Sequence, residues 1–217
     1  MYFIKAPFWL RSLYRPLVWK ISEKDKILYL TFDDGPHETA TPFVLDQLKK
    51  YGAGATFFCI GKNVDAHPAI YQRILDEGHR VGNHTQNHLN GWKVSEEAYL
   101  KNIDQAAQSI HSNLFRPPYG KIKKGAIKKV KDLIEQNAKE RGIFSAAKIV
   151  MWDVLSGDFD SHLSPSQCLK NVVKHATEGS IIVFHDSTKA FERLEFALPW
   201  VLKYYTDLGY QFKVLPD

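Results

Sequence analysis

Short apolar, β-prone runs alternate with helical segments about seven times along this chain. The predicted strands occupy residues 27–30, 55–61, 79–84, 114–119, 148–154, 180–185 and 211–215. The predicted helices occupy residues 41–50, 63–77, 95–111, 124–141, 164–177 and 192–208, and Thr41 is the predicted N-cap of the first. Such alternation predicts an α/β fold of parallel βαβ units, either closed as a barrel or left as an open sheet. We expect one domain over residues 23–217, preceded by an N-terminal arm at residues 1–22.

Polar residues gather where the predicted strands end. They are Asp33, Asp34, His84, His88, Arg116, Tyr119, Asp158, His185 and Asp186. The carboxyl ends of parallel strands meet on one face, and α/β barrels build their active sites on that face. We therefore expect these side chains to share one site.

Two adjacent carboxylates, Asp33 and Asp34, follow the first predicted strand and precede a Gly-Pro turn. Neighbouring residues at a strand end point in different directions, so the two groups can serve different roles. Two like charges this close are costly unless they share a cation or a proton. The alternative is a solvated turn, because Asp, Gly and Pro are common turn residues.

His84 and His88 are four residues apart, a spacing that lets two imidazoles meet one metal ion. With one carboxylate they would form a three-ligand catalytic site that leaves room for water. The helical His-Glu-x-x-His pattern of zinc proteases is disfavoured, because residue 85 is Thr and the segment follows a strand. The alternative is a pair of surface histidines in a loop.

Arg116 near paired carboxylates would keep one of them ionised, whereas an ordinary surface ion pair would contribute little. The two prolines after it fix the backbone, which would present the N–H of Tyr119 rigidly to an oxyanion.

Asp158 is a candidate partner for His185 and would hold it as an imidazolium acid. The alternative is a calcium loop through Asp153, Asp158 and Asp160, but these residues lack the required spacing.

The charge composition indicates which kinds of partner the protein can bind. The net charge of +5 suits an acidic polymer or a membrane surface. The basic residues between 121 and 131 are spaced like a solvated helix face, so we expect no nucleic-acid partner.

Residues 1–20 are rich in aromatic and basic residues and contain no acid. They lack the continuous apolar core and the cleavage site of a signal peptide, and the compartment stays open between cell envelope and cytoplasm. Such a segment suits weak association with an anionic membrane surface. The favoured alternative is an arm whose aromatic residues pack against the domain.

Four motifs occur in order at residues 31–36 (TFDDGP), 84–88 (HTQNH), 116–119 (RPPY) and 182–185 (IVFH). Together they resemble the polysaccharide deacetylases with a NodB homology domain, carbohydrate esterase family 4. The similarity runs from about residue 27 to the C-terminus. It implies a distorted, incomplete (β/α) barrel, in agreement with the alternation of strands and helices.

By this resemblance Asp33 is the general base and Arg116 tunes it. Asp34, His84 and His88 are the implied ligands of one divalent ion. The family usually uses zinc, and cobalt, nickel and manganese are the alternatives.

The resemblance further implies that His185 is the general acid, Asp158 its partner and Tyr119 the donor of an oxyanion N–H. Two positions depart from the family pattern. Phe159 replaces a frequent Trp, and Val183 replaces a frequent Leu two residues before the acid. Both changes bear on the shape of the substrate groove rather than on the catalytic set.

The resulting hypothesis is metal-dependent removal of N-acetyl groups from N-acetylglucosamine-type residues of a glycan, with release of acetate. Peptidoglycan, a chitin-like polymer and a lipid-linked sugar all fit, and we expect a monomer. The alternatives are hydrolysis of another amide or of O-acetyl groups by the same fold, and a carbohydrate-binding protein without catalysis.

Overall fold

The computed structural model describes residues 2–217, and a single parallel sheet organises them. Its strands are β1 (Ile27–Asp33), β2 (Ala55–Cys59), β3 (Arg80–Asn83), β4 (Leu114–Phe115), β5 (Lys148–Ile149), β6 (Val154–Leu155), β7 (Ile181–His185) and β8 (Gln211–Phe212). The strand order is β5-β4-β3-β2-β1-β7-β6, and β8 pairs with the start of β1.

Within residues 2–217, eight α-helices and two short 3₁₀ turns connect or flank these strands. The helices are α1 (Phe8–Leu13), α2 (Ala40–Lys50), α3 (Gly61–Ala66), α4 (Pro68–Asp76), α5 (Glu96–Ala106), α6 (Ile127–Glu140), α7 (Pro165–His175) and α8 (Phe191–Asp207). The 3₁₀ turns lie at Pro118–Gly120 and Lys124–Ala126.

The sheet curls until its two edges almost meet. β5 and β6 stand at opposite ends of the strand order, yet they are joined by residues 150–153 alone. Five extended steps reach at most about 18 Å, so the edges lie within that distance of each other. Val18 of the arm bridges Val150 inside the gap. The predicted distorted, incomplete barrel of about seven parallel strands is confirmed.

The central strand β1 supports the fold and the site together. All seven of its residues are buried, because strands pair on both of its edges and side chains cover both of its faces. Phe32 stacks between Phe57 and Phe184 of the neighbouring strands, with ring centroids 5.1 and 6.2 Å away. A β1 buried on every side holds the carboxyl end of the strand rigidly.

Several element boundaries differ from the sequence prediction. The helix predicted over residues 63–77 is divided into α3 and α4, and the strand predicted over residues 114–119 ends at Phe115, before the 3₁₀ turn at Pro118–Gly120. The strand predicted over residues 148–154 is wrong, because the chain leaves one edge of the sheet at β5 and joins the other at β6. The N-cap assigned to Thr41 is also wrong, because α2 already begins at Ala40. The Thr41 hydroxyl instead donates to the Asp186 carboxylate at 2.5 Å.

The N-terminal arm packs against the barrel. Ala6, Leu17 and Trp19 are buried in one cluster with side chains of α5 and α6. The buried Asp153 accepts a hydrogen bond from Lys5 Nζ at 2.6 Å, and Arg11 Nη1 lies 3.4 Å from it. In residues 2–217 no helix is both long and apolar enough to cross a bilayer.

Candidate active site

Asp33 and Asp34 end β1 in different environments. Asp33 accepts a hydrogen bond from Arg116 Nη1 at 2.6 Å and is almost fully buried. Asp34 has a φ of 82°, a left-handed conformation that turns its side chain away from the strand direction. The two neighbouring carboxylates therefore lie in different local environments.

Arg116 is completely buried and forms a network around Asp33. Its guanidinium also donates to Thr31 Oγ1 at 2.8 Å, to Val150 O at 3.2 Å and to Met151 O at 2.9 Å. It lies 4.1 Å from the ring centroid of Phe58. Arg116 is therefore a buried cation whose guanidinium nitrogens all have acceptors and whose counter-ion is the bonded carboxylate of Asp33. It is not the ordinary surface ion pair that the sequence left as the alternative.

Asp34, His84 and His88 form a cluster that suits a metal ion. One ligand atom from each lies within 4.8 Å of the others. Asp34 Oδ1 is 3.2 Å from His88 Nε2 and 3.7 Å from His84 Nε2. This oxygen is buried and has no hydrogen-bond partner among the described residues, which is an uncommon state for a carboxylate.

Hydrogen bonding and burial also set the protonation states of this cluster, and these states suit a cation. His84 Nδ1 donates to the Arg116 carbonyl at 2.7 Å, so its Nε2 carries the lone pair. Burial lowers the pKa of His84 to about 4 and keeps the ring neutral. Burial opposes ionisation of Asp34, but the nearby imidazoles of His88 and His185 outweigh it and hold its pKa below the usual range. A carboxylate and neutral imidazoles are the ligands that divalent zinc prefers, so the donor set fits such an ion.

His185 is held by Asp158 at the end of β7. Its Nδ1 lies 2.8 Å from Asp158 Oδ1, and its backbone N–H donates to Oδ2 at 2.7 Å. Burial alone would lower the pKa of His185, but the charge and hydrogen bond of Asp158 raise it to about 9, with help from Asp34 and Asp33. The imidazole is therefore protonated at neutral pH, and its Nε2 proton is available to a ligand.

Tyr119 lies at the rim of the site. Its ring centroid is 4.5 Å from that of His88, and its φ of 59° again places a non-glycine residue in the left-handed region. The hydrogen bonds of this turn are donated by Gly120 to Pro117 O and by Lys121 to Pro118 O. Neither of them uses the N–H of Tyr119.

Left-handed backbone concentrates at this site. In residues 2–217 the non-glycine residues with positive φ are Asp34, Thr85, His88 and Tyr119. Each of them belongs to the site or adjoins one of its side chains. Strained backbone is retained where surrounding structure enforces it, and it clusters at functional sites.

Asp186 supports the site, and sequence reasoning assigned it no role. It accepts hydrogen bonds from the Gly35 N–H at 3.1 Å and from Thr41 Oγ1 at 2.5 Å. A Cβ on Gly35 would lie 2.0 Å from its Oδ2. Burial raises the pKa of Asp186 to about 8. In the sequence, the only pointer to a role for Asp186 was its position next to His185 at a strand end. In the structure it packs against Gly35, whose lack of a side chain permits this close approach.

The calcium-loop alternative finds no support in the geometry. Asp153 is engaged by the arm, as described above, and Asp160 Oδ2 accepts a hydrogen bond from Tyr2 at 2.7 Å. Phe159 lies between Tyr2 and His185, with ring centroids 5.0 and 5.2 Å away. Val183 is buried within β7.

The chemistry of the site indicates its class. A paired carboxylate and a paired imidazolium beside a cluster suited to a cation are the groups that hydrolysis of an amide or ester requires. Residues 20–136 match the polysaccharide deacetylase family, and the chain belongs to that family. This membership confirms the resemblance drawn from the four motifs and supports a deacetylase, which is a hydrolase.

Comparison with individual proteins agrees with this assignment. A peptidoglycan-N-acetylglucosamine deacetylase of Bacillus cereus is 34% identical over 207 residues, which cover 93% of this chain and 92% of that protein. The peptidoglycan-N-acetylmuramic acid deacetylase PdaC of Bacillus subtilis is 32% identical over 197 residues, but these cover only 38% of PdaC and 88% of this chain.

The fold agrees with solved structures too. The crystal structure of the Bc1960 peptidoglycan N-acetylglucosamine deacetylase, in complex with a naphthalenyl N-oxidanyl-benzamide, matches with a TM-score of 0.83 and 30% identity. The match covers 97% of this chain and 95% of that one.

Proposed function

We propose that this protein hydrolyses the N-acetyl groups of N-acetylglucosamine-type residues in a glycan and releases acetate. The observation that carries the proposal is the placement of two activated groups beside one cluster. Asp33 with its Arg116 partner and His185 with its Asp158 partner both adjoin the Asp34–His84–His88 cluster.

Asp34, His84 and His88 would hold a divalent ion, and zinc is the family's usual choice, with cobalt, nickel and manganese as alternatives. When bound, such an ion polarises the amide carbonyl and acidifies water. The unpartnered Asp34 oxygen and the free lone pair of His84 support this role.

Asp33 acts as the general base in this proposal. Arg116 donates to Oδ1 and orients the carboxylate, so the remaining oxygen takes the proton of the attacking water. Arg116 itself is buried behind Asp33 and does not reach substrate, so it is a positioning residue.

His185 acts as the general acid. Its raised pKa keeps the proton that the departing amine needs, and Asp158 fixes which ring nitrogen faces the substrate. The N–H of Tyr119 donates a hydrogen bond to the oxyanion that forms as the carbonyl carbon becomes tetrahedral. The products are acetate and a free amino sugar.

The relatives point to peptidoglycan as the glycan. One is named for N-acetylglucosamine and the other for N-acetylmuramic acid, so we propose peptidoglycan as substrate and acetylglucosamine as the preferred sugar. Phe159 beside His185 would shape the groove that makes this choice. We propose that the protein works as a monomer.

Acetate release tests the function directly. Purified protein is incubated with zinc and N-acetylglucosamine oligomers or peptidoglycan, and acetate and new amines are quantified by mass spectrometry. We expect equal amounts of both products, with activity lost to a chelator and restored by zinc. Release from O-acetylated sugars alone would favour the esterase alternative, and glycan binding without turnover would favour the non-catalytic one.

A further inference from the structure

The arm turns one apolar face outward while its other face is anchored. The exposed fractions of Phe3, Phe8, Trp9 and Leu13 are 48%, 82%, 58% and 52%. Helix α1, which carries three of them, has no buried residue. Large side chains this exposed on one short segment form an apolar patch that solvent alone would disfavour.

This patch is held in a defined orientation. Lys5 and Arg11 both reach the buried carboxylate of Asp153, and Val18 donates its N–H to Ile149 O at 2.9 Å. The outward aromatic residues are therefore carried by a segment fastened to the barrel, rather than by a free tail.

The patch is continuous with the rim of the active site. A cavity of about 450 Å³ is lined by Trp9 and Leu13 of the arm together with Trp92 and Tyr119. Trp92 and Tyr119 are themselves 52% and 60% exposed. A surface that covered the arm would lie beside the entrance to the site.

Cationic side chains lie beside the patch. Residues 1–20 contain no acid, and Arg15 among them is exposed. Lys121 Nζ lies 4.0 Å from the ring centroid of Trp92, and Lys124 Nζ lies 5.4 Å from that of Tyr14. Aromatic side chains at the centre with Lys and Arg at the edge are the composition that binds anionic lipid headgroups and their acyl boundary.

We propose that the arm docks this protein onto the surface of an anionic lipid bilayer. Phe8, Trp9 and Leu13 enter the headgroup region, and Arg15, Lys121 and Lys124 contact the lipid phosphates. Docking in this orientation turns the active-site rim toward the bilayer, so the protein meets glycan that lies close to a membrane. The inference goes beyond the proposed function, because docking requires neither turnover nor a metal ion.

Vesicle co-sedimentation tests the proposal. The full chain is mixed with vesicles of phosphatidylglycerol and phosphatidylcholine, and with phosphatidylcholine alone. We expect binding to the anionic vesicles that weakens with salt, because exposed charges are screened beyond about 10 Å at 0.1 M. The double variant Phe8→Ser, Trp9→Ser should bind about tenfold more weakly, because it loses both aromatic anchors.

Trp200→Ser is the matched control. Trp200 is 53% exposed on α8, close to the 58% of Trp9, but it lines a different cavity. The control should bind vesicles like the parent, and quenching of tryptophan emission by brominated lipids should fall in Trp9→Phe but not in Trp200→Phe.

Three results on vesicle binding would overturn the proposal. They are absence of binding to the anionic vesicles, equal binding by parent and double variant, and loss of binding in the Trp200 control instead. A dimer of the parent that becomes a monomer in the double variant, seen by light scattering, would make the patch an interface between copies. A thermal unfolding transition of the double variant that matches the parent verifies that the barrel is intact.

Discussion

Asp33 and His185 are directly opposite each other in the parallel pairing of β1 with β7. The proposed base and the proposed acid thus occupy the last paired positions of two adjacent strands. Backbone hydrogen bonds between these strands set their separation, and the metal-type cluster follows at the next residue, Asp34. Rigid strands hold a catalytic geometry more accurately than loops do.

Replacement of Asp33 by Asn should abolish most activity. The amide cannot accept the proton of water, so we expect kcat to fall by about 10²–10⁴-fold. Its oxygen still accepts a hydrogen bond from Arg116, but the fully buried guanidinium loses its counter-ion, so we also expect a loss of about 3–5 kcal/mol of unfolding free energy. Acetate release, thermal unfolding and zinc binding check these points. Activity within about threefold of the parent would refute the role of Asp33 as base.

Replacement of Asp158 by Asn should move the alkaline limb of the pH profile. The pKa of His185 is raised to about 9, so its acid form is present at neutral pH and is lost as the pH rises through that value. Without the charge of Asp158, the decline of kcat/KM should shift toward the ordinary value of 6.5. The free energy of unfolding should also fall as the pH rises. The raised pKa stabilises the folded state below 6.5, and this contribution disappears as the pH rises through about 9.

Asp160→Asn is the control for this shift. Asp160 is two residues from Asp158 but contacts Tyr2 rather than His185. Its pH profile should match that of the parent. An identical shift in both variants would mean that the effect does not pass through the His185 pair.

Replacement of His88 by Ala should remove metal binding without unfolding the barrel. Loss of a residue that only supports a ligand weakens affinity about 10–100-fold, so loss of the ligand itself should exceed about 100-fold. Isothermal titration with zinc measures this, and the rise of Tm on zinc addition should vanish in the variant. The exposed His111, replaced by Ala, should leave both readouts unchanged. Equal zinc affinity of parent and His88→Ala would place the metal elsewhere.

Replacement of Gly35 by Ala should damage both stability and activity. The new methyl would lie 2.0 Å from Asp186 Oδ2, so the loop that carries Asp34 must shift. We expect a loss of about 1–3 kcal/mol in unfolding free energy, typical of overpacking. Gly125→Ala is the matched control, because nothing lies within 4 Å of its Cβ position. Chemical denaturation of the two variants compares them, and equal stability would contradict the steric role of Asp186.

Much of this architecture was predictable from local patterns. Alternating apolar runs and helical segments indicated a parallel α/β barrel, since each buried strand must be covered by the helix that follows it. The polar residues at strand ends indicated one site, because parallel strands present all their carboxyl ends on the same face. The ion pair of Arg116 with Asp33 and the contact of His185 with Asp158 follow from the same rule.

Other features depended on contacts between distant segments. The apolar run over residues 148–154 reads as one strand, and its division between two edges is decided by the curl of the whole sheet. Thr41 satisfies every local rule for an N-cap, but the buried Asp186 carboxyl competes for its hydroxyl. The position of the arm follows from the desolvated charge of Asp153, which its lysine and arginine neutralise.

The sequence by itself determined the class of fold, the family motifs and the chemical types gathered at the site, because strand period, turn chemistry and ligand spacing are local properties. Tertiary structure alone decided that Asp33 is bonded to a fully buried arginine while Asp34 keeps an unpartnered oxygen. It also decided which aromatic residues of the arm are buried and which face outward. Burial depends on neighbours that come together from distant parts of the chain, and burial in turn requires charges to be paired. A local sequence pattern therefore cannot predict either of them.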